Sequence, residues 1–361
     1  MRTTPRPALS AAPLAAIALA VTASAQPRRA APPSCAVTHH TLASLDGDAV
    51  DVTQAPLVAF ANGGALVAWR TRAGALRLAA FDASWRPLGP ARELSTEAGA
   101  FALAEGPAGA AVLYVERVRE VVLARVNARG EAQNVPRLLH RAEGPLREVA
   151  LARTDAGWLA LWRDDLRQAT ALPLEPRGVP RGEGVALGVG RHLRARWLPA
   201  QGVVALVQDG VYGDEPGLVS VTNAGEAAAR LRWPAATAGP FELPDGLSAA
   251  QVTAAGVPVL VRVPPGGATL AAPDGAVRTR FSLAAAAPDG AGVTVVYHDV
   301  DAGRTLAARA GDPSPPAVVR VGAAVPVGVA AAPDGAVVVT HREAAAHGGA
   351  RIVATRVVCR R

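Results

Sequence analysis

Short apolar runs alternate with turn residues over most of the chain. The runs combine β-branched and aromatic residues within six positions, a composition typical of buried strands. They are ALVAWR (65–70), WLALWR (158–163), VVALVQ (203–208), VPVLVR (257–262), VTVVYH (293–298) and AVVVTH (336–341). The 36 glycines and 30 prolines recur between them too often for long helices. This pattern predicts many short strands.

The runs belong to a repeat of about 45 residues that starts at a glycine. The glycines are Gly64, Gly109, Gly157, Gly202, Gly256, Gly292 and Gly335, with spacings of 45, 48, 45, 54, 36 and 43 residues. A mostly large apolar residue follows five positions later, and a mostly polar column comes next: Arg70, Val115, Arg163, Gln208, Arg262, His298 and His341. The stretch 110–129 could also form an amphipathic helix, but the repeat favours two strands with a turn between Glu116 and Glu120.

A second turn follows each run by roughly 15–20 residues, so each unit holds about four strands, the size of a propeller blade. The hexapeptide AAPDGA occurs at 271–276, 286–291 and 331–336, where Pro, Asp and Gly suit a tight turn. Its PDG resembles the turn of several bacterial propeller repeat families, although so short a motif identifies no single family. We therefore predict an all-β single β-propeller of seven four-stranded blades, and the uneven spacings leave six or eight blades open. The predicted units are 55–98, 99–145, 146–190, 191–246, 247–281, 282–322 and 323–361.

The last unit supplies only three strands before the sequence ends. The N-terminal segment 36–45 can add the missing outer strand, which would bring Cys35 beside Cys359. We expect a Cys35–Cys359 disulfide to close the ring, since an exported chain favours the bond.

The N-terminus has the pattern of a secretory signal peptide. Arg2 and Arg6 precede an apolar stretch over residues 8–23, and Ala-Ser-Ala at 23–25 forms a cleavage site. The stretch is short for a spanning helix and holds a proline, so a membrane anchor is disfavoured. We predict a Sec-type signal peptide at 1–25, a Pro/Arg-rich linker at 26–34 and the propeller domain at 35–361. The protein is then exported, to the periplasm or the cell exterior.

The basic charge is spread along the chain. The sequence has a formal net charge of +7, and all 37 basic residues are arginine. Nucleic-acid binding needs basic residues clustered on one face, and the sequence has no basic run. We expect a monomer with no nucleic-acid partner and no membrane span.

Motifs for catalysis or metal binding are sparse. G-x-S-x-G, H-E-x-x-H, Walker and C-x-x-C motifs do not occur, and neither does the S-x-D-x-G-x-T-W box of sialidases. Asp299 and Asp301 are weak calcium candidates without a full D-x-D-x-D-G loop, and the same holds for 46–51. We expect no catalytic residue and no cofactor, with calcium as the alternative. Paired carboxylates for glycoside hydrolysis are not testable from sequence, so a carbohydrate-active or other hydrolytic propeller stays an alternative.

The polar column predicts the binding face. In a four-stranded meander the PDG-type turns lie on one face, and the connections between second and third strands lie on the other. The inter-blade stretch 232–246 belongs to this second face. The hypothesis places a ligand site there, formed by Arg70, Arg163, Gln208, Arg262, His298 and His341. The alternative is that strand ends near solvent are simply polar. Arginine and histidine suit an anionic or hydroxylated ligand, so the partners considered are a small anion, a glycan or an envelope protein. A structural role in an envelope complex is a further alternative.

Overall fold

The chain forms β-strands throughout the part that the structure describes. The computed structural model describes residues 35–45, 54–61, 63–106, 108–189, 193–208, 217–232, 237–263, 281–289, 292–322, 325–344 and 350–359. The strands up to residue 200 are β1 Cys35–Leu45, β2 Leu57–Ala61, β3 Gly64–Arg70, β4 Leu76–Phe81, β5 Arg92–Ser95, β6 Ala98–Gly106, β7 Gly109–Glu116, β8 Glu120–Asn127, β9 Arg137–Arg141, β10 Leu146–Thr154, β11 Gly157–Asp164, β12 Gln168–Leu174, β13 Val185–Val189 and β14 Leu193–Leu198. Those after residue 200 are β15 Val203–Gln208, β16 Gly217–Thr222, β17 Ala227–Arg232, β18 Thr237–Leu243, β19 Gly246–Val252, β20 Pro258–Arg262, β21 Phe281–Pro288, β22 Val293–Asp299, β23 Arg304–Arg309, β24 Ala317–Val321, β25 Gly328–Ala331, β26 Val337–Ala344 and β27 Ala350–Cys359.

Consecutive strands pair into antiparallel sheets. We name them sheet I (β2–β5), sheet II (β6–β9), sheet III (β10–β13), sheet IV (β14–β17), sheet V (β18–β20), sheet VI (β21–β24) and the closing sheet (β25–β27 with β1). The first strands β2, β6, β10, β14, β18, β21 and β25 contact one another in that order, and β25 contacts β2. The sheets therefore stand round a common axis with their first strands innermost, and the predicted single β-propeller is confirmed.

The core lies between neighbouring sheets. Alternate residues of a strand point to opposite faces, so each sheet packs against both neighbours. In sheet III, for example, Trp162 packs towards sheet II, and Leu161 packs towards sheet IV. Both side chains are buried. This two-sided burial explains why second strands such as β11 are almost continuously apolar.

The ring closes through its N-terminal strand. β1 pairs antiparallel with β27, and the register sets Cys35 opposite Cys359. The two cysteines form a disulfide, as predicted from the strand count and the antiparallel register.

Sheet V corrects the predicted repeat register. The second strand of this sheet starts at Gly246, whereas Gly256 precedes the third strand, β20. With Gly246 in the glycine column, the spacings 54 and 36 become 44 and 46. The stretch 232–246 was predicted as an inter-blade connection, which is wrong because it holds the innermost strand β18. The unit boundary at 246 is wrong for the same reason.

Blade number is the second correction. Six of the sheets have the four strands of a complete blade, instead of the seven predicted, and sheet V has three strands. Residues 264–280, which follow sheet V, lie outside the described residues, and so does the AAPDGA copy at 271–276. The copy at 331–336 joins the first and second strands of the closing sheet, as predicted. The copy at 286–291 stands at the same turn in sheet VI, with its last two residues outside the description. The predicted turn between Glu116 and Glu120 is also confirmed, because β7 and β8 pair across it.

Candidate functional site

A cavity of about 750 Å³ lies on the propeller axis. Its wall contains residues from the first strand of every sheet named above, including Leu57, Leu103, Leu151, Leu193 and Ala238. The lining comes mostly from the starts of these strands. The cavity therefore opens towards the face opposite the tight turns between first and second strands, which is the face predicted for ligand binding.

Arg163 and Glu148 form an ion pair in this cavity. They stand directly opposite each other on β11 and β10. Arg163 Nε donates a hydrogen bond to Glu148 Oε2 at 3.2 Å. The side chains are 13% and 24% exposed, so solvent screens the pair less than a surface pair. The carboxylate holds the Nε edge of the Arg163 guanidinium beside the cavity.

Arg196 lies between sheets IV and V. Its guanidinium carbon stands 4.5 Å from the centroid of the Phe241 ring, within the range of a cation–π contact. Burial lowers the pKa of Arg196 to about 10, so the side chain remains charged at neutral pH. Its partial exposure is towards the cavity that it lines.

Three more arginines line the cavity. Arg70 comes from the end of β3 and donates a hydrogen bond to the Ala98 carbonyl at 3.4 Å, and burial lowers its pKa. Arg147 and Arg194 lie on β10 and β14, and both side chains are exposed. In the described lining, five arginines face one carboxylate, that of Glu148. The cavity therefore carries positive potential.

Among the predicted ligand-binding residues whose side chains are described, Arg70 and Arg163 line the cavity, and Arg262, His298 and His341 do not. Arg262 ends the third strand β20 rather than a second strand, so it lies on the opposite face, where it pairs with Asp245 at 3.8 Å. Its predicted place in the column is wrong because the repeat register slipped in sheet V. Gln208 ends β15, but its side chain lies outside the described part of the structure.

The two histidines of the column are buried between sheet VI and the closing sheet instead of lining the cavity. His298 Nδ1 and Thr305 Oγ1 share a hydrogen bond of 3.1 Å. His341 is fully buried, and its Nε2 lies 3.0 Å from Glu343 Oε1. Burial and the Arg320 charge lower the pKa of both imidazoles. Both histidines occupy the polar column of the repeat. Because alternate residues of a strand point to opposite faces of the sheet, their side chains lie against a neighbouring sheet.

The calcium candidates Asp299 and Asp301 lie away from the cavity, whereas the candidate stretch 46–51 lies outside the described residues. Asp299 is buried, and its carboxylate accepts hydrogen bonds from Arg304 at 3.1 Å and from the Ala302 amide at 3.1 Å. Asp301 follows in the exposed turn. Within the described ranges, no three His, Cys, Asp or Glu side chains come together as a metal site.

Sequence reasoning missed the charged residues of the innermost strands. The innermost strand β10 starts with Leu-Arg-Glu, and the innermost strand β14 starts with Leu-Arg-Ala-Arg. A usable signal was present, because charged residues are out of place on strands expected to crowd the axis. The register slip hid Phe241, which was assigned to a connection.

Comparison with known proteins supports the fold class. Neither a protein-family model nor a curated protein matches the sequence. A solved structure of a catalytically inactive virginiamycin B lyase from Staphylococcus aureus with quinupristin is similar, with a TM-score of 0.51 and 9% identity over 89% of this chain and 99% of that one. BBS1N in complex with ARL6DN is also similar, with a TM-score of 0.53 and 9% identity over 90% of this chain and 97% of that one.

These two proteins are an enzyme and a module that binds a partner protein. At 9% identity they show the propeller fold alone. Among the described residues, no helix has the length and apolarity to cross a membrane.

Proposed function

We propose that this protein is a non-catalytic binding module that holds a small anionic ligand in the axial cavity. The observation that carries the proposal is that the described lining holds five arginines and one glutamate. Guanidinium groups bind carboxylates and phosphates through paired hydrogen bonds, and a recessed site strengthens them. A volume of about 750 Å³ lies within the usual range of ligand pockets.

The hydrolytic alternative needs a pair of carboxylates across the substrate. Glu148 is the one carboxylate in the described lining, and Arg163 already pairs with it. An uncharged glycan would leave several of the arginines without a charged partner. The lining therefore favours an anionic ligand over a hydrolytic function and over an uncharged glycan. It also favours an anionic ligand over a purely structural role in an envelope complex.

Calorimetric titration with citrate and inorganic phosphate at low ionic strength tests this function. The double variant Arg147→Gln/Arg194→Gln removes two exposed arginines of the cavity, so its folding should be unaffected. We expect its affinity for either anion to fall at least tenfold. Arg262→Ala is the matched control, because Arg262 lies on the opposite face. Unchanged binding in the double variant, or a loss in Arg262→Ala alone, would refute the proposal.

We also propose that the protein is exported and acts outside the cytoplasm. The leader pattern of residues 1–25 supports export, and so does the disulfide, since such bonds persist in oxidising compartments. Mass spectrometry of the native protein should find a mature N-terminus at Gln26 and no free thiol. A chain that keeps residues 1–25 would contradict export by a cleaved signal.

Sheet V supports the site because its first strand carries Phe241, which packs against Arg196.

A further inference from the structure

The wall of the axial cavity has two unlike sides. Sheets III and IV contribute Arg147, Arg163, Arg194 and Arg196. In the described lining, sheet VI and the closing sheet contribute Ala284, Ala285, Ala286, Val327, Gly328 and Val329, none of which has a polar side chain.

These two sides lie across the axis from each other. In the ring, sheet V separates sheet IV from sheet VI, and sheets I and II separate the closing sheet from sheet III. A molecule on the axis would therefore meet guanidinium groups on one side and methyl groups on the other.

The charged side is held in place before a ligand arrives. Arg163 is fixed by Glu148, and Arg196 is fixed over the Phe241 ring. Burial lowers the pKa of Arg196, and no carboxylate among the described residues pairs with it. An anion at this position would supply the opposite charge that Arg196 lacks.

In its described lining, the apolar side offers contact without hydrogen-bonding side chains. Val327 and Val329 pack against the core between sheet VI and the closing sheet and are partly exposed where they line the cavity, so part of their apolar surface is available to a ligand. Apolar surface of this kind gains free energy when an alkyl group covers it.

We propose that the ligand is a small amphiphile, with an anionic head bound by Arg163, Arg194 and Arg196 and an alkyl body lying against Val327 and Val329. This inference rests on the proposed anion-binding function and adds the class of ligand. Free alkyl phosphates and alkyl carboxylates share the required chemistry.

A ligand series separates the head from the body. Calorimetric titration would compare octyl phosphate, butyl phosphate, inorganic phosphate and octanol. Each buried methylene contributes about a fourfold gain in affinity, so we expect octyl phosphate to bind at least tenfold more tightly than inorganic phosphate or octanol. Equal affinity for octyl and inorganic phosphate would overturn the amphiphile inference and leave anion binding intact. Binding of none of the phosphates would overturn both.

Two variants test which side of the cavity binds the head of the ligand and which side binds its alkyl body. Arg196→Gln should weaken octyl phosphate and inorganic phosphate alike, by tenfold or more. Val327→Thr/Val329→Thr keeps the side-chain shapes and should weaken octyl phosphate about three- to tenfold without changing inorganic phosphate. The control is Val321→Thr, since Val321 is exposed outside this cavity. An unchanged affinity of the double variant for octyl phosphate would show that the alkyl chain of the ligand does not lie against Val327 and Val329.

Vesicles distinguish a free amphiphile from a membrane surface. We expect the protein to remain in the supernatant after sedimentation with vesicles of phosphatidylcholine and phosphatidylglycerol. Sedimentation with the vesicles that is lost in Arg196→Gln would overturn the proposal in favour of a lipid headgroup in a bilayer.

Discussion

Cys35 and Cys359 stand opposite each other in the β1–β27 pair, 324 residues apart in sequence, and are joined by a disulfide. Every other described strand pairs with a neighbour in the sequence. The β1–β27 pair is thus the one place in the described structure where distant parts of the chain share a sheet.

Removal of the disulfide should lower the stability of the protein strongly. In the chain-entropy model, closing a loop of this length stabilises the folded state by about 6 kcal/mol. We expect Cys35→Ser/Cys359→Ser to lose several kcal/mol of the free energy of unfolding, measured by urea denaturation. Addition of a reductant should destabilise the wild type and leave the double variant unchanged. If a reductant also destabilised the double variant, its effect on the wild type would not come from the disulfide alone.

Removal of the Glu148 charge should tighten anion binding. Glu148 competes with a ligand for Arg163 and opposes the positive potential of the cavity. We expect Glu148→Gln to raise the affinity for inorganic phosphate about three- to tenfold, measured by calorimetry at low salt. The control Glu93→Gln changes an exposed carboxylate outside the cavity. If Glu148→Gln instead bound phosphate more weakly, the main effect of the ion pair would be to position Arg163 for the ligand. Competition with the ligand would then be the smaller effect.

Acidification should destabilise the fold through His341. Burial lowers the pKa of this imidazole, and Arg320 and His39 lower it further, whereas Glu343 raises it. Because the folded-state pKa lies below the unfolded value of about 6.5, the unfolded chain binds a proton that the folded chain does not. Stability is therefore present above pH 6.5 and falls as the pH decreases below it.

The pH dependence is measured by denaturation between pH 5 and pH 8. We expect His341→Gln to reduce the slope of stability against pH by up to about 1.4 kcal/mol per pH unit. His298→Gln should act in the same direction, because burial and Arg320 lower the pKa of His298 as well. An unchanged slope in both variants would contradict the lowered pKa of the two buried imidazoles.

Two glycines in the same position of the repeat should respond differently to alanine. Gly157 has a φ of +140°, and an added Cβ would stand 2.1 Å from the Leu174 carbonyl oxygen. Gly202 has a φ of +64°, and nothing lies within 4 Å of its added Cβ. We expect Gly157→Ala to cost about 3 kcal/mol or more and Gly202→Ala about 1 kcal/mol. Equal thermal-denaturation losses would show that backbone conformation, not the close approach, determines the cost.

The sequence predicted the parts of the fold that depend on strand count and turn chemistry. The repeat, the ring closure by the N-terminal strand and the disulfide all follow from these. Sheet V was misread because VPVLVR (257–262), a third strand, has the composition of a second strand. Residues 244–246 have the sequence PDG, the turn motif found elsewhere in the chain, but Gly256 directly precedes the apolar run.

The site was harder to predict because it depends on which way individual side chains point. The register of β10 against β11 shifts between Leu146 and Glu148, and this irregularity breaks the simple alternation of faces. The contact between Arg196 and Phe241 joins two sheets whose boundary was misplaced. Only the structure places Glu148, Arg163 and Arg196 in one cavity.

The pairing of β1 with β27 also sets an order of events during synthesis. A ribosome makes β1 before the six other sheets, and its partner strand comes last. Pairs within a sheet can form locally and early, whereas the closing pair must wait for the whole chain and carries the largest loop-closure entropy. Until then, β1 is an unpaired strand and the outer edge of β27 is open, which exposes both to pairing with another copy. The disulfide thus marks a completed ring, because its two halves meet only after every other sheet has been made.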